Sequence, residues 1–297
     1  MRRFSSCIKV LLTAILLVLL VKTFVLTSCT IPSTGMENTL YQGERVLVNK
    51  WSYGLRLPFT TSRIASRPVG RGDIVLFNNP VPTHRELPVF ARGLYISRCV
   101  GLPGDTLMLN RDLLPTGGRV LSPDSKSLYA YPLEGEDTLL YTLHTLGITG
   151  NNLVGYAEGR YVRSFSHYEL YLIRQRLGGS LDIRPVHEAD SADSHPLVIP
   201  AKGKAVKVWP WNVTLLCNTI VRHEGRRASV SGDTLRVDGR PVDHYTFTKD
   251  YYWMSSNNPI NLSDSRLFGL VPHDYLVGRA ARIWYPSRKE RFFQRVQ

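Results

Sequence analysis

The side chains equipped for chemistry lie far apart along the chain. Ser33, Thr34 and Ser97 carry hydroxyls, which attack a carbonyl only with a base within hydrogen-bond reach. His84 and His273 cannot be placed beside them from spacing alone. Cys7, Cys29, Cys99 and Cys217 show neither metal-ligand spacing nor the density of a disulfide scaffold, so no metal site is expected. Cys99 and Cys217 are expected as buried small hydrophobes, with a single bridge between them as the alternative. Gly101-Leu102-Pro103-Gly104-Asp105 reads as a turn between strands rather than a phosphate loop, and no cofactor is implied. Asp264 and Arg266 are expected to form a structural ion pair, and Asn212-Val213-Thr214 is a formal glycosylation sequon.

Short strands must position these groups. Residues 44–50, 73–77, 94–100 and 106–109 are apolar or β-branched runs bounded by Gly, Pro, Asn or Asp. Residues 229–237 followed by Asp238-Gly239 predict a hairpin, and 245–254 another strand. One helix stands out: Ser166 and Glu169 make a capping box, Leu170, Ile173 and Leu177 an apolar stripe, and Gly178-Gly179 a stop. Residues 181–197 read as a polar surface loop.

Composition is ordinary for a globular protein, 43% hydrophobic and 21% charged. Lys plus Arg number 37 against 24 Asp plus Glu, a formal charge of +13. The basic residues are scattered and no nucleic-acid motif accompanies them, so no nucleic-acid partner is expected and an anionic lipid surface is the simpler reading.

The N-terminus supports a membrane location. Arg2 and Arg3 precede an apolar stretch, and residues 10–29 hold one charge, Lys22. That is the length of a transmembrane helix, and the basic flank keeps the N-terminus cytoplasmic and the body outside. Residues 1–29 are therefore expected as cytoplasmic tip and uncleaved anchor. A cleaved signal peptide and a lipoprotein signal, with Leu26-Thr27-Ser28-Cys29 as lipid-attachment box, are the rivals.

Three ordered blocks then resemble signal peptidase I (leader peptidase), the membrane serine protease family that cuts leader sequences from exported proteins. Ile31-Pro32-Ser33-Thr34-Gly35-Met36-Glu37-Asn38-Thr39-Leu40 resembles I-P-S-x-S-M-x-P-T-L. Tyr95-Ile96-Ser97-Arg98-Cys99-Val100-Gly101-Leu102-Pro103-Gly104-Asp105 resembles Y-x-K-R-x-x-G-x-P-G-D, and residues 254–266 resemble M-x-G-D-N-R-x-N-S-x-D-S-R. The resemblance implies a mainly β fold, a signal-peptidase-like antiparallel coiled sheet domain over residues 30–297. Its core would be 30–105 and 251–297, with 106–250 inserted as a second, β-rich lobe.

It also implies Ser–Lys chemistry that this chain cannot perform at the matching positions. Gly35 stands at the nucleophile, Ser97 at the lysine general base, and Leu262 at the hydroxyl that orients the lysine. Ser33 matches the oxyanion-hole serine, while Pro32, Met36, Arg98, Asp264, Ser265 and Arg266 match residues that brace the site. The resemblance thus implies a pseudo-protease in the bacterial inner membrane, with a binding or accessory role in protein export. Its expected partners are signal-peptide-bearing preproteins or an active paralogue. An active signal peptidase with a rearranged site stays open as the alternative.

Overall fold

Alternating apolar residues at Val46 and Val48, and the apolar run Ile74, Val75, Leu76 and Phe77 in strand Ile74–Asn78, set the frame of the fold. The computed structural model describes residues 2–57, 59–82, 87–110, 113–115, 125–186, 194–261 and 263–296, with the side chains of 2–8 and 157 left aside. His84 and Leu262 lie outside the described residues.

Seven strands form one antiparallel sheet, in the spatial order Leu26–Thr30, Arg45–Asn49, Leu276–Tyr285, Ile74–Asn78, Leu94–Gly101, Tyr251–Ser255 and Val271–Pro272. The mainly β antiparallel expectation holds. Because strand residues alternate sides, Ile74 and Leu76 join a cluster with Ile31, Met36 and Val46, whereas Val75 and Phe77 join Cys99, Tyr252 and Met254. Cys99 and Cys217 are buried free thiols, and burial pushes both thiol pKa values up. The register sets Ser97 opposite Val75, and Arg98 opposite both Ile74 and Ser255, so the second and third blocks meet side by side.

The anchor expectation needs correction at its C-terminal end. Helix α1 spans Arg2–Leu20, a π-helical turn takes Val21–Val25, and Leu26–Thr30 is sheet. Residues Leu26–Thr30 pair antiparallel with Arg45–Asn49, and that pairing ends the helix. Lys50 Nζ donates to the carbonyls of Lys22 and Thr23, which the turn leaves free. Among the described residues, no helix is long and apolar enough to cross a membrane.

Residues between Thr106 and Asp250 hold two hydrophobic cores of different kinds. One is an α+β unit. Its four-stranded sheet, ordered Arg184–Pro185, Lys126–Pro132, Arg160–Ser166 and Gly155–Ala157, is covered by helices α2 (Glu136–Thr145) and α3 (His167–Leu177) around Tyr131, Leu139, Phe165 and Ile173. The other is mainly β and packs onto the large sheet: helix α4 (Val213–Thr219) presents Leu216 to Ile220, Leu235 and Phe247, and to Trp253 of the strand Tyr251–Ser255.

Helix α3 is capped as its sequence predicts: Ser166 Oγ accepts from the Glu169 N–H, Glu169 reaches back to the Ser166 N–H, and Gly178 closes it in the left-handed region. Helices α2 and α4 carry no comparable cap and escaped the sequence reading. The 229–237 run divides at Gly232 into Ala228–Ser231 and Thr234–Val237, and the Asp-Gly turn leads on to Arg240–Val242. The 245–254 run also divides, into His244–Thr246 and Tyr251–Ser255. The 181–197 loop ends in strand His195–Val198, because Leu197 finds a buried place opposite Leu107.

Candidate functional site

The first block enters the site through a one-turn 3-10 helix, Thr34–Met36, capped by Ser33, whose Oγ accepts the Gly35 N–H at 3.4 Å. Pro32 passes its carbonyl to the Gln42 side chain, and Met36 is buried in the core. Gly35 is buried, and a Cβ there would lie 3.2 Å from Asn261 Cγ and 3.3 Å from Asn261 Oδ1. Its carbonyl accepts the Asn258 N–H at 3.1 Å. Where the resembling pattern has proline, Asn38 adopts φ +71°, a value the proline ring forbids.

Ser97 is fully buried, and its Oγ donates to the Ser263 carbonyl at 2.8 Å. Ser263 in turn gives its N–H to Asn261 Oδ1 at 3.0 Å. The positions resembling nucleophile and base are therefore joined through Asn261 and Ser263: one side chain stands over Gly35, and one carbonyl occupies the Ser97 hydroxyl. An alcohol that already donates to a carbonyl lacks the acceptor base that would make it a nucleophile.

Around this bridge the frame is tightly hydrogen-bonded. Arg98, 4% exposed, donates to Asn257 Oδ1, to the Gly72 carbonyl and to Thr39 Oγ1. Asn257 Nδ2 donates to Thr39 Oγ1 at 2.8 Å and to the Glu37 carbonyl at 3.2 Å, tying the third block to the first. Asp264 and Arg266 form the expected pair at 2.8 Å. Asp264 also accepts the Ser256 N–H, and Arg266 reaches the carbonyls of Pro259 and Asn261. Ser265 Oγ accepts the Met254 N–H, and Asp264 to Phe268 carries the short helix α5 (Ser265–Phe268) with Asp264 as its cap.

Lys126, at the start of the α+β unit, was not singled out by any sequence signal. Its side chain is fully buried. Nζ donates to Glu37 Oε2 at 3.0 Å and Asn151 Oδ1 at 2.9 Å, with Glu169 Oε1 at 3.8 Å. Loss of solvent pushes the Glu37 carboxyl pKa up, against the opposing pull of Lys126. Asn258 Nδ2 donates to the same carboxylate, and the Lys126 N–H donates to the Asn257 carbonyl. The α+β unit is thus fastened to the first and third blocks beside Gly35.

His273 is engaged elsewhere. Its ring nitrogens meet Ser66 Oγ at 2.9 Å and the Tyr252 hydroxyl at 3.0 Å. Both contacts tie His273 to the 66–69 loop and the strand Tyr251–Ser255, away from Gly35 and Ser97. Among the described residues, no cluster of His, Cys, Asp and Glu could hold a metal ion.

The three resembling blocks thus meet on one antiparallel sheet around one short 3-10 turn. The model of the family "Signal peptidase, peptidase S26" matches residues 4–154, and the chain belongs to that family. It is 25% identical to signal peptidase I of Buchnera aphidicola subsp. Schizaphis graminum over 296 residues, covering 97% of this chain and 77% of that protein. Signal peptidase I of Helicobacter pylori strain 26695 is 23% identical over 270 residues, 89% of this chain and 76% of that protein. Signal peptidase I of Pseudomonas aeruginosa is 36% identical over 99 residues, 32% of this chain and 31% of that protein.

Proposed function

We propose that this chain is a pseudo-protease of the signal peptidase I family, which engages exported preproteins or an active paralogue without cutting. The observation that carries the reading is the Asn261–Ser263 bridge between Gly35 and Ser97. A glycine offers no nucleophile, and a buried serine donating to a carbonyl is no amine base. Lys126, the lysine buried beside the first block, is already engaged as a donor to Glu37 and Asn151. Ser33, Pro32, Arg98, Asp264 and Arg266 keep the site's shape, and an extended segment could be held there by backbone pairing alone.

The same reading puts the protein in the inner membrane, its N-terminus cytoplasmic and its main domain outside. In support, α1 exposes Val10, Leu11, Leu12, Leu16 and Leu17 on several sides, which water disfavours and lipid accepts.

The deciding experiment is cleavage of a signal-peptide-bearing precursor by the full-length chain in detergent, with precursor binding followed by fluorescence anisotropy in parallel. Binding without cleavage is the expected result. Cleavage at the rate of an active relative overturns the pseudo-protease reading, and absence of binding to both precursor and paralogue overturns the accessory role.

A further inference from the structure

The seam between the α+β unit and the first block holds a lysine, a carboxamide and two carboxylates in one buried cluster. Lys126 Nζ lies 2.9 Å from Asn151 Oδ1, so the amine faces the Asn151 carbonyl group directly. Arg163 holds the Asn151 backbone carbonyl, and Asn151 is 7% exposed, so the acceptor is fixed as well as buried. Among the described residues, Asn151 Nδ2 has no hydrogen-bond partner. A buried amide nitrogen without a partner is costly, and here it is also the atom that would leave if the amine attacked. Glu37 sits 3.0 Å from the same amine on its other side, pinned by Asn258 and by Gly150, where any side chain would overlap its carboxylate.

We propose that Lys126 and Asn151 become joined by an autocatalytic isopeptide bond between Lys126 Nζ and Asn151 Cγ, with release of ammonia. The Lys126 ammonium gives one proton to Glu37 and so gains the lone pair that attacks Cγ. A second proton passes from the attacking nitrogen to the Asn151 nitrogen. The Cγ–N bond of the old amide breaks, ammonia departs, and the new C–N bond remains as an amide. Glu37 keeps its proton and donates to the new carbonyl. Lysine ammonium, carboxylate and carboxamide thus become amide, carboxylic acid and ammonia, with no oxidant or co-reactant. The desolvated Glu37 carboxyl, already raised in proton affinity, suits the first transfer. Exclusion of water from Lys126 protects the tetrahedral intermediate from hydrolysis.

The bond would close the chain from 126 to 151 and lock the α+β unit into one piece where it meets the site. This inference does not depend on whether the protein cleaves precursors.

The test is intact-mass spectrometry of the full-length chain, followed by tryptic peptide mapping. The expected mass is lower than the sequence mass by one ammonia, about 17 Da. Trypsin should fail after Lys126, and one internally looped peptide spanning residues 120–160 and lighter by the same mass should contain both Lys126 and Asn151. Lys126→Arg and Asn151→Ala should each restore the full mass, and Glu37→Gln should leave most chains unlinked. A wild-type chain at full mass, with a free tryptic peptide ending at Lys126, overturns the proposal. So does a lighter chain whose missing mass does not lie in a looped peptide joining the two residues. Because the deciding measurement is made on the wild-type chain, misfolding of a variant cannot obscure it.

Discussion

At Gly35 the obstacle to catalysis is larger than a missing hydroxyl. Its backbone is not in the left-handed region, so a serine is conformationally acceptable there. The resulting Cβ, however, would press on Asn261 at 3.2 Å. Restoring the pair with Gly35→Ser and Ser97→Lys, together with Leu262→Ser, is therefore expected to give weak cleavage while Asn261 stays. Adding Asn261→Ala should raise the rate roughly tenfold or more, worth about 1.4 kcal/mol of barrier, as read from initial rates on a precursor. Equal rates with and without Asn261 would refute the steric account. Asp264 offers a second residue-scale test. Its side chain is fully buried, and its loss strands the guanidinium of Arg266. Asp264→Ala should cost about 3–5 kcal/mol, measured as a shift in the urea unfolding midpoint at unchanged slope.

Among the elements, α3 is the one that sequence and structure describe alike, because its ends are specified locally. The Ser166–Glu169 box satisfies two N-terminal amide groups and Gly178 stops the last turn. Ser166→Ala is expected to cost about 1 kcal/mol, seen in thermal or urea unfolding. Ser166→Asp should recover most of it; equal loss in both would show that burial of Ser166, not its cap, matters. The N-terminal element behaves differently. Residues 26–30 continue the uncharged stretch of the helix, yet a neighbouring strand edge claims them, and Lys50 consolidates the break from 28 positions away.

For the molecule as a whole, pH dependence rests on a buried histidine in the mainly β core. His223 is 6% exposed and lies against Tyr251 and Tyr275, with Lys249, Arg222 and Arg92 as the nearby cations. Burial first, then these cations, takes its pKa from 6.5 down to about 3. The unfolded chain therefore binds the extra proton, and stability rises with pH. The contribution is complete above about 6.5 and is lost as pH falls towards 3, with a slope of about 1.4 kcal/mol per pH unit. His223→Leu should flatten that part of the stability–pH curve in denaturant titrations between pH 3 and 7. An unchanged slope would assign acid sensitivity to other groups.

The local code was enough for the strand runs at 45–49, 74–78 and 94–101, for α3, and for the three blocks that mark the family. Alternation, caps and motif spacing act over a few residues, so they can be read without partners. The substitutions Gly35 and Ser97 were equally legible, since a residue's identity alone excludes a nucleophile or an amine. What only the tertiary structure decided depends on contacts between distant segments. Asn261 fills the space above Gly35 because α5 and its Asp264 cap pull the third block inward. Lys126 is unremarkable in the sequence, and becomes a buried amine only when residues 37, 151, 169 and 258 converge on it. Burial removes the water that would otherwise satisfy and screen such a group, and which residues replace that water is settled by the packing of separate segments rather than by any one of them.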